Sequence, residues 1–292
     1  VNLVRETKAL TIEAGLRAEE TKVSYTLAPV NIYYQRNDAY DYFRLFPNVR
    51  LTTRLGDGTD ISLFYNRRVD RPGEPELRVF PKYDDPELVK VGNPYLRPQF
   101  TMAYEVSLQQ DWSRLNASLA LYHRRIKDAF QRIYAIDQST TNYDIINKIY
   151  SNTGKASNTG AELIAHWKAS KNLKVNANIN AFRTHRDAAQ ITLLFHYLRS
   201  LTLPKTSDFT WDGKLGLEAT LGKSTKMQLN GVYYAAREVA QGRQAARSTV
   251  DFSLSRTFLK DRFKASLSVT DIFNRFGTKT TVPAFTCARC SA

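Results

Sequence analysis

Residues 98 to 129 read PQFTMAYEVSLQQDWSRLNASLALYHRRIKDA. In the first arm Phe100, Met102, Tyr104, Val106 and Leu108 alternate with Thr101, Ala103, Glu105, Ser107 and Gln109. In the second, Leu115, Ala117, Leu119 and Leu121 alternate with Asn116, Ser118, Ala120 and Tyr122. A period of two is the mark of a strand, because successive side chains point to opposite faces. Each arm keeps the alternation for about ten residues, where strands of soluble sheets usually stop at five or six. Ten residues is the length a tilted strand needs to cross a bilayer. The DWSR between the arms is a tight polar turn.

The same pattern recurs along the chain. Alternation predicts eleven strands, near 8–20, 43–56, 59–68, 99–111, 115–127, 157–170, 172–185, 209–222, 225–237, 247–259 and 262–273. Tight turns at 56–58, 111–114, 170–172, 222–225 and 260–261 take turns with long connections near 21–42, 69–98, 128–156, 186–208 and 238–246. Short turns on one side and long loops on the other is the beat of an outer-membrane barrel, and a β-sandwich has no reason to keep it.

One face of these strands is apolar, through Leu10, Ile12, Ala14 and Leu16, then Leu163, Ala165 and Trp167, then Leu173, Val175, Ala177 and Ile179. The other carries Glu13, Arg17, Glu105, Glu162, His166, Asn176, Asn178, Asn180, Asp212, Lys214, Glu218 and Asp251, too many charges for a dry core. Lipid over the first face and water or a plug against the second reconcile the two. The expected fold is all-β: an antiparallel up-and-down transmembrane β-barrel, incomplete at about eleven strands. Trp112, Trp167 and Trp211 are placed near strand ends, as interfacial aromatics are.

Composition agrees once the barrel is considered. Apolar residues make up 42% of the chain, and no run approaches the ~18 apolar residues of a membrane helix. Mean hydropathy is −0.43, which a barrel tolerates because each strand shows lipid only one face. The formal charge is +14, but the basic residues are dispersed and no nucleic-acid motif accompanies them, so nucleic acid is not an expected partner. That charge suits a solvated lumen and rim, anionic lipid headgroups and an anionic ligand. Cys287 and Cys290 form a single C-x-x-C in the tail 282–292, without the second ligand pair of a zinc site. No metal and no cofactor are expected. The opening VNLVRETKALTIEAG is already polar, so a signal peptide, if there is one, precedes Val1. The segment ITLLFHYL at 191–198 is an apolar patch within a loop, open between a short strand, a helical turn and a plug contact.

Four stretches resemble the barrel of TonB-dependent receptors, in particular the Bacteroidetes-type outer membrane protein β-barrel family: YNRRVDRP at 65–72, VGNPYLRPQFTMAYEVS at 91–107, YSNTGKASNTGAELIAHW at 150–167 and VTDIFNRFG at 269–277. The resemblance implies a barrel of about 22 strands around a plug, with ligand held by plug and outer loops and uptake driven from the inner membrane. It implies as partners the TonB energising complex, a plug domain, the barrel assembly machinery, and outer-membrane lipid with lipopolysaccharide. Eleven strands cannot close such a barrel, and no final strand ends in an aromatic residue. Residues 1–281 therefore correspond to the C-terminal part of the barrel, with 262–273 as its penultimate strand.

The expected function is outer-membrane transport of a nutrient of unknown identity. Tyr33, Tyr34, Arg36, Arg71, Tyr83, Arg97, Tyr143 and Arg243, all in long connections, are the candidates for the ligand side. Arg67, Arg68, Asn93, Pro94 and Gly160 stand apart as shapers of strand ends and turns. A passive pore or structural barrel is the alternative, with a soluble carbohydrate-binding sandwich and an outer-membrane hydrolase as weaker ones. An enzyme would need one of His123, His166, His185 and His196 beside a carboxylate. Glu162 lies four residues from His166, about 13 Å along a strand and too far to pair.

Overall fold

The computed structural model describes residues 1–29, 33–85, 88–137, 145–193, 195, 199–222, 224–259 and 262–281. Twelve strands form one antiparallel sheet: Asn2–Glu6, Leu10–Thr26, Asn37–Gly56, Thr59–Asp70, Gln99–Asp111, Leu115–Lys127, Ala156–Trp167, Leu173–Arg186, Thr206–Leu221, Thr225–Tyr234, Arg247–Phe258 and Phe263–Val269. Each pairs with the next in that series, which makes an up-and-down meander. Its edge strands, Asn2–Glu6 and Phe263–Val269, do not pair with each other among the described residues, so the wall is open.

All eleven expected strands are present, and two corrections apply. The twelfth, Asn2–Glu6, is a five-residue edge strand too short to display a period. The supposed long connection at 21–42 is mostly strand, because Leu10–Thr26 and Asn37–Gly56 stay in register up to Thr26↔Asn37. Along this extension the outward residues include Glu20, Lys22 and Asp41, and Glu20 pairs with Lys22 at 2.9 Å. Side chains still alternate in direction there, but no longer in polarity, so the pattern fades while the strand continues.

Adjacent residues show the two faces. Leu121 is 56% exposed while Tyr122 beside it is 7% exposed. Leu163, Ile179, Leu215 and Leu267 are exposed on the Leu121 side. The inner side is stitched by polar contacts: the Tyr122 hydroxyl donates to Asn180 Oδ1 at 2.8 Å, and Asn178 Nδ2 donates to Glu162 Oε1 at 2.7 Å. Outward aromatics pair at the level nearer the long connections, Tyr65 with Tyr104 at 5.1 Å and Trp211 with Tyr233 at 4.8 Å between ring centroids. Trp112, Phe258 and Phe263 lie at the short-turn level. Two aromatic levels flanking an apolar band are the mark of a wall facing lipid.

The wall also splits. Asn37–Gly56 pairs with Thr59–Asp70 only as far as Asn48↔Asn66, although both strands continue beside their other neighbours. Rings bridge the gap: Phe100 lies 5.6 Å from Tyr42 and 6.4 Å from Phe46, with the Arg44 and Arg67 guanidinium groups over its face.

The dry core is in the long connections. Val89, Val91, Ile133, Ile149, Ile191, Leu193, Phe195 and Leu203 form one buried cluster. Their backbone is a four-stranded sheet of Lys82–Asp85, Leu88–Lys90, Ile145–Asn152 and Phe130–Asp137, together with a hairpin of Ala189–Leu193 and Arg199–Leu203. The apolar patch at 191–198 thus supplies a short strand and part of this core, while residues 194 and 196–198 lie outside the described residues.

Ile133 is fully buried in that cluster. Ile133→Ala is expected to cost about 2–5 kcal/mol through lost burial and a residual cavity. The loss should fall on the loop assembly alone. Limited proteolysis of the protein in detergent should speed up at the 130–203 connections while the heat-induced mobility shift of the wall stays unchanged.

Candidate ligand-binding face

The loop sheet has two unlike faces. Val89, Asn147, Ile149 and Ile133 point into the buried side, and the residues between them point the other way. On that second face the register places Lys82 opposite Lys90, Lys90 opposite Lys148, and Lys148 opposite Tyr134. The next row pairs Tyr150 with Arg132, whose guanidinium carbon is 5.7 Å from the Tyr150 ring centre. Three lysines side by side on adjacent strands, about 5 Å apart at Cβ, repel one another. The cost registers at Lys148, whose pKa is lowered by burial first and then by Arg132 and Lys90. Gln241 fixes the far edge: its Oε1 accepts from Tyr134 N at 2.7 Å and its Nε2 donates to Tyr134 O at 2.8 Å. The result is a rigid cationic and aromatic face that suits an anion with a planar or polarisable body.

A second cluster ties this assembly to the wall. Arg97 donates to Asp38 Oδ2 at 2.8 Å and stacks over Tyr40 at 4.3 Å. Asn152 receives the Arg97 N–H at 2.9 Å and donates to the carbonyls of Arg97 and Asp128. Asn93 donates to Tyr150 O at 3.0 Å and accepts from Tyr95 N at 2.9 Å. Tyr34 is buried, donates to Gly92 O at 3.1 Å and meets Tyr95 edge to face; burial raises its pKa above the ordinary phenol value.

The candidate residues fall into three groups. Tyr34 and Arg97 belong to this clamp, and half-buried Tyr33 packs on Phe195 at 5.2 Å. Arg71 donates to Glu19 Oε2 at 2.5 Å and to Tyr42 Oη at 3.1 Å, beside the split in the wall. Arg36 and Arg243 are exposed, and Arg243 pairs with Glu238 at 3.0 Å. Tyr83 lies on the Lys82–Asp85 strand, but its side chain is outside the described residues, as is the whole of Tyr143. The six whose side chains are described are therefore not gathered into one site. Lys82, Lys90, Arg132, Lys148, Tyr134 and Tyr150 escape a sequence reading because strands of three to eight residues within a loop are too short to show a period. A hint was present in LVKV at 88–91 and INKIY at 146–150, where single lysines interrupt apolar runs.

Among the described residues the histidines do not assemble a hydrolytic centre. His166 Nδ1 bonds Asn176 Oδ1 at 2.9 Å and His123 Nδ1 bonds Thr159 Oγ1 at 2.7 Å. His185 is 3.4 Å from Asp187, with no serine hydroxyl hydrogen-bonded to it among the described residues, and His196 is outside them. No three His, Cys, Asp or Glu side chains converge on a metal position among the described residues. The Cys287 and Cys290 tail also lies outside them.

The model of the outer membrane protein beta-barrel family matches residues 1–286. Among curated proteins, no significant match exists. Solved structures do match: the copper transporter OprC (TM-score 0.62, 16% identity, 91% of this chain and 40% of that one) and the FrpB iron transporter of Neisseria meningitidis, F3-3 variant (TM-score 0.59, 14% identity, 95% and 40%). The ferric yersiniabactin uptake receptor FyuA of Yersinia pestis is similar too (TM-score 0.57, 15% identity, 92% and 39%). The chain spans about two fifths of the length of these proteins, and at these identities the likeness establishes the fold.

Lys148 sets a testable trade. Its folded pKa lies below the ordinary 10.5, so the folded chain binds fewer protons than the unfolded one, and stability rises as pH climbs from the depressed value towards 10.5. Lys148→Met should therefore tighten hydrogen-exchange protection of the loop strands at neutral pH. The same change should weaken binding of an anion on this face by about tenfold, the loss of one charge-assisted contact of roughly 1.5 kcal/mol.

Proposed function

Since this chain belongs to the outer membrane protein β-barrel family, we propose that it is part of the wall and outer loops of an energised receptor that takes up an anionic nutrient complex, such as a metal chelate. The membrane location and the barrel fold follow from the family and from the wall; that family and the transporters and receptors of like fold also set the chain apart from enzymes. The observation that carries the ligand class is the row of Lys82, Lys90 and Lys148 with Arg132 beside it, on a sheet built from the long connections. In outer-membrane barrels the longer loops face the exterior, where a ligand is first met. Lys148, whose pKa is lowered by burial and by Arg132 and Lys90, is a perturbed group on that face, as binding sites often hold.

Energy-driven uptake is supported by the fold shared with the copper transporter, the iron transporter and the ferric yersiniabactin receptor. It requires a plug domain and the TonB complex as partners, and insertion requires the barrel assembly machinery. Tyr34 and Arg97 serve this reading as positioning residues that hold the loop sheet on the wall, while Tyr33 packs beneath it. Arg36, Arg243, Tyr83 and Tyr143 remain proposed ligand-side groups, and Arg71 buttresses the rim.

The test is whole-cell uptake of radiolabelled iron, given as an anionic ferric catecholate or a neutral ferric hydroxamate, in cells whose only such receptor is the full-length protein. The expected result is accumulation of the anionic complex, abolished by an uncoupler of the inner membrane and reduced about tenfold by Lys90→Gln with Lys148→Gln. Uptake indifferent to the uncoupler would mean a passive pore. Energised uptake without preference for the anionic complex would remove the assigned ligand class.

A further inference from the structure

The lipid-facing side of the wall carries a groove that the transport reading does not use. Its floor is made of small side chains, Thr159, Ala161 and Ala181, which share the outward face of two neighbouring strands. Its sides are large: Tyr104 and Leu121 stand on one flank and Phe209 on the other, all exposed. The groove is shallow and open, with a volume of about 940 Å³. It opens outward, because on the inner face Gly160 is already packed, and a Cβ there would lie 2.6 Å from the Phe182 Cβ and 2.7 Å from the Tyr122 hydroxyl.

At the end nearest the long connections the floor changes character. The row through Thr159 pairs it with His123 on one side and Arg183 on the other. The next row pairs Ser157 with Arg125 and with His185. Arg125 and Arg183 are exposed, and neither has a carboxylate within ion-pair distance among the described residues. His185 is the one with an acidic neighbour, Asp187 at 3.4 Å. From strand spacing and rise, Arg125 and Arg183 are about 12 Å apart at Cα, so their long side chains can converge on a single group between them. A guanidinium pair on the open surface would be unremarkable. Here it adjoins a band covered by lipid, where charge pairs are less screened than in water and phosphate is the anion that lipid supplies.

We propose that this groove holds one phosphorylated lipid of the leaflet on the long-loop side, with an acyl chain over Thr159, Ala161 and Ala181 and a phosphate between Arg125 and Arg183. The site rests on the membrane placement of the wall and not on the transport reading. A lipid fixed there would brace three adjoining strands just below the loop assembly.

The full-length protein, purified in detergent, should be examined by native mass spectrometry after titration with lipid A and with chemically dephosphorylated lipid A. Wild type is expected to retain one lipid A per chain and to hold the dephosphorylated form at least tenfold more weakly. Arg125→Gln with Arg183→Gln should erase that difference, Arg125→Lys with Arg183→Lys should keep part of it, and Ala161→Trp should expel the lipid by filling the floor. Unchanged heat-induced mobility shows that each variant is folded. Equal retention of both lipids, or retention unaffected by the arginine or Ala161 changes, would overturn the site and leave only non-specific annular lipid. Full competition by inorganic phosphate would likewise overturn it in favour of a free-anion site. If the wall did not lie in a membrane at all, the protein would stay soluble without detergent and retain neither lipid, a result distinct from all of these.

Discussion

The requirement that every backbone polar group be paired within the protein, in a solvent that offers no hydrogen bonds, governs this structure. The long meander from Leu10 to Phe258 meets it by pairing each strand with a neighbour on both sides along the wall, and Asn2–Glu6 and Phe263–Val269 are its open edges. Once the backbone is fixed this way, the side chains have only two directions to take. Leu121, Leu163 and Ile179 go to lipid, while Tyr122, Glu162, Asn178 and Asn180 go to the interior, where Tyr122 bonds Asn180 and Asn178 bonds Glu162 across strands. The usual logic of a core is thus reversed, and the driving force for the wall is transfer of its apolar face into lipid rather than burial within the chain.

Packing as found in soluble proteins reappears where the lipid ends. The connections carry their own cluster around Ile133, Ile149 and Leu193, because a sheet of three- to eight-residue strands exposed to water must bury an apolar face to persist. That core in turn frees the other face of the loop sheet. Lys90, Lys148 and Arg132 can be held in adjacent positions, against their mutual repulsion, only because Val89, Ile149 and Ile133 anchor the same strands from behind. Stability on one side thereby fixes the positions of the cationic groups on the other.

Legibility in the sequence follows the length over which a physical rule repeats. Strands such as Gln99–Asp111 and Leu173–Arg186 could be read directly, since lipid on one face and water on the other impose alternation for a dozen residues. Where lipid no longer covers the outward face, at Glu20 and Lys22, the strand continues but its polarity signal stops. The edge strand Asn2–Glu6 and the loop strands are shorter than any window in which a period can be recognised. Asn93 and Gly160, set aside as shapers of structure, do act locally. Asn93 bridges to the Tyr150 carbonyl, and Gly160 leaves room for Tyr122 and Phe182. The cationic face was out of reach because it depends on a parallel pairing of residues 88–90 with 146–148 across a long connection, a contact that local sequence does not encode.

The split between Asn37–Gly56 and Thr59–Asp70 shows how the two regimes are joined. Beyond Asn48↔Asn66 the ladder hydrogen bonds between these strands end, yet both strands continue upward beside other partners. An open seam in hydrocarbon would leave backbone groups unpaired at several kcal/mol each, by order of magnitude. The seam begins just beyond Pro47, with Leu45 and Phe43 still exposed on the outward side and Glu20, Lys22 and Asp41 following further along. It is filled by Phe100 against Tyr42 and Phe46, and by Arg71 reaching Glu19 and Tyr42. Rings and guanidinium groups fill such a gap where ladders end, since they stack without a fixed register. Above this level the chain no longer has to remain a sheet, and the loops are free to fold as a water-facing unit on a wall shaped by lipid.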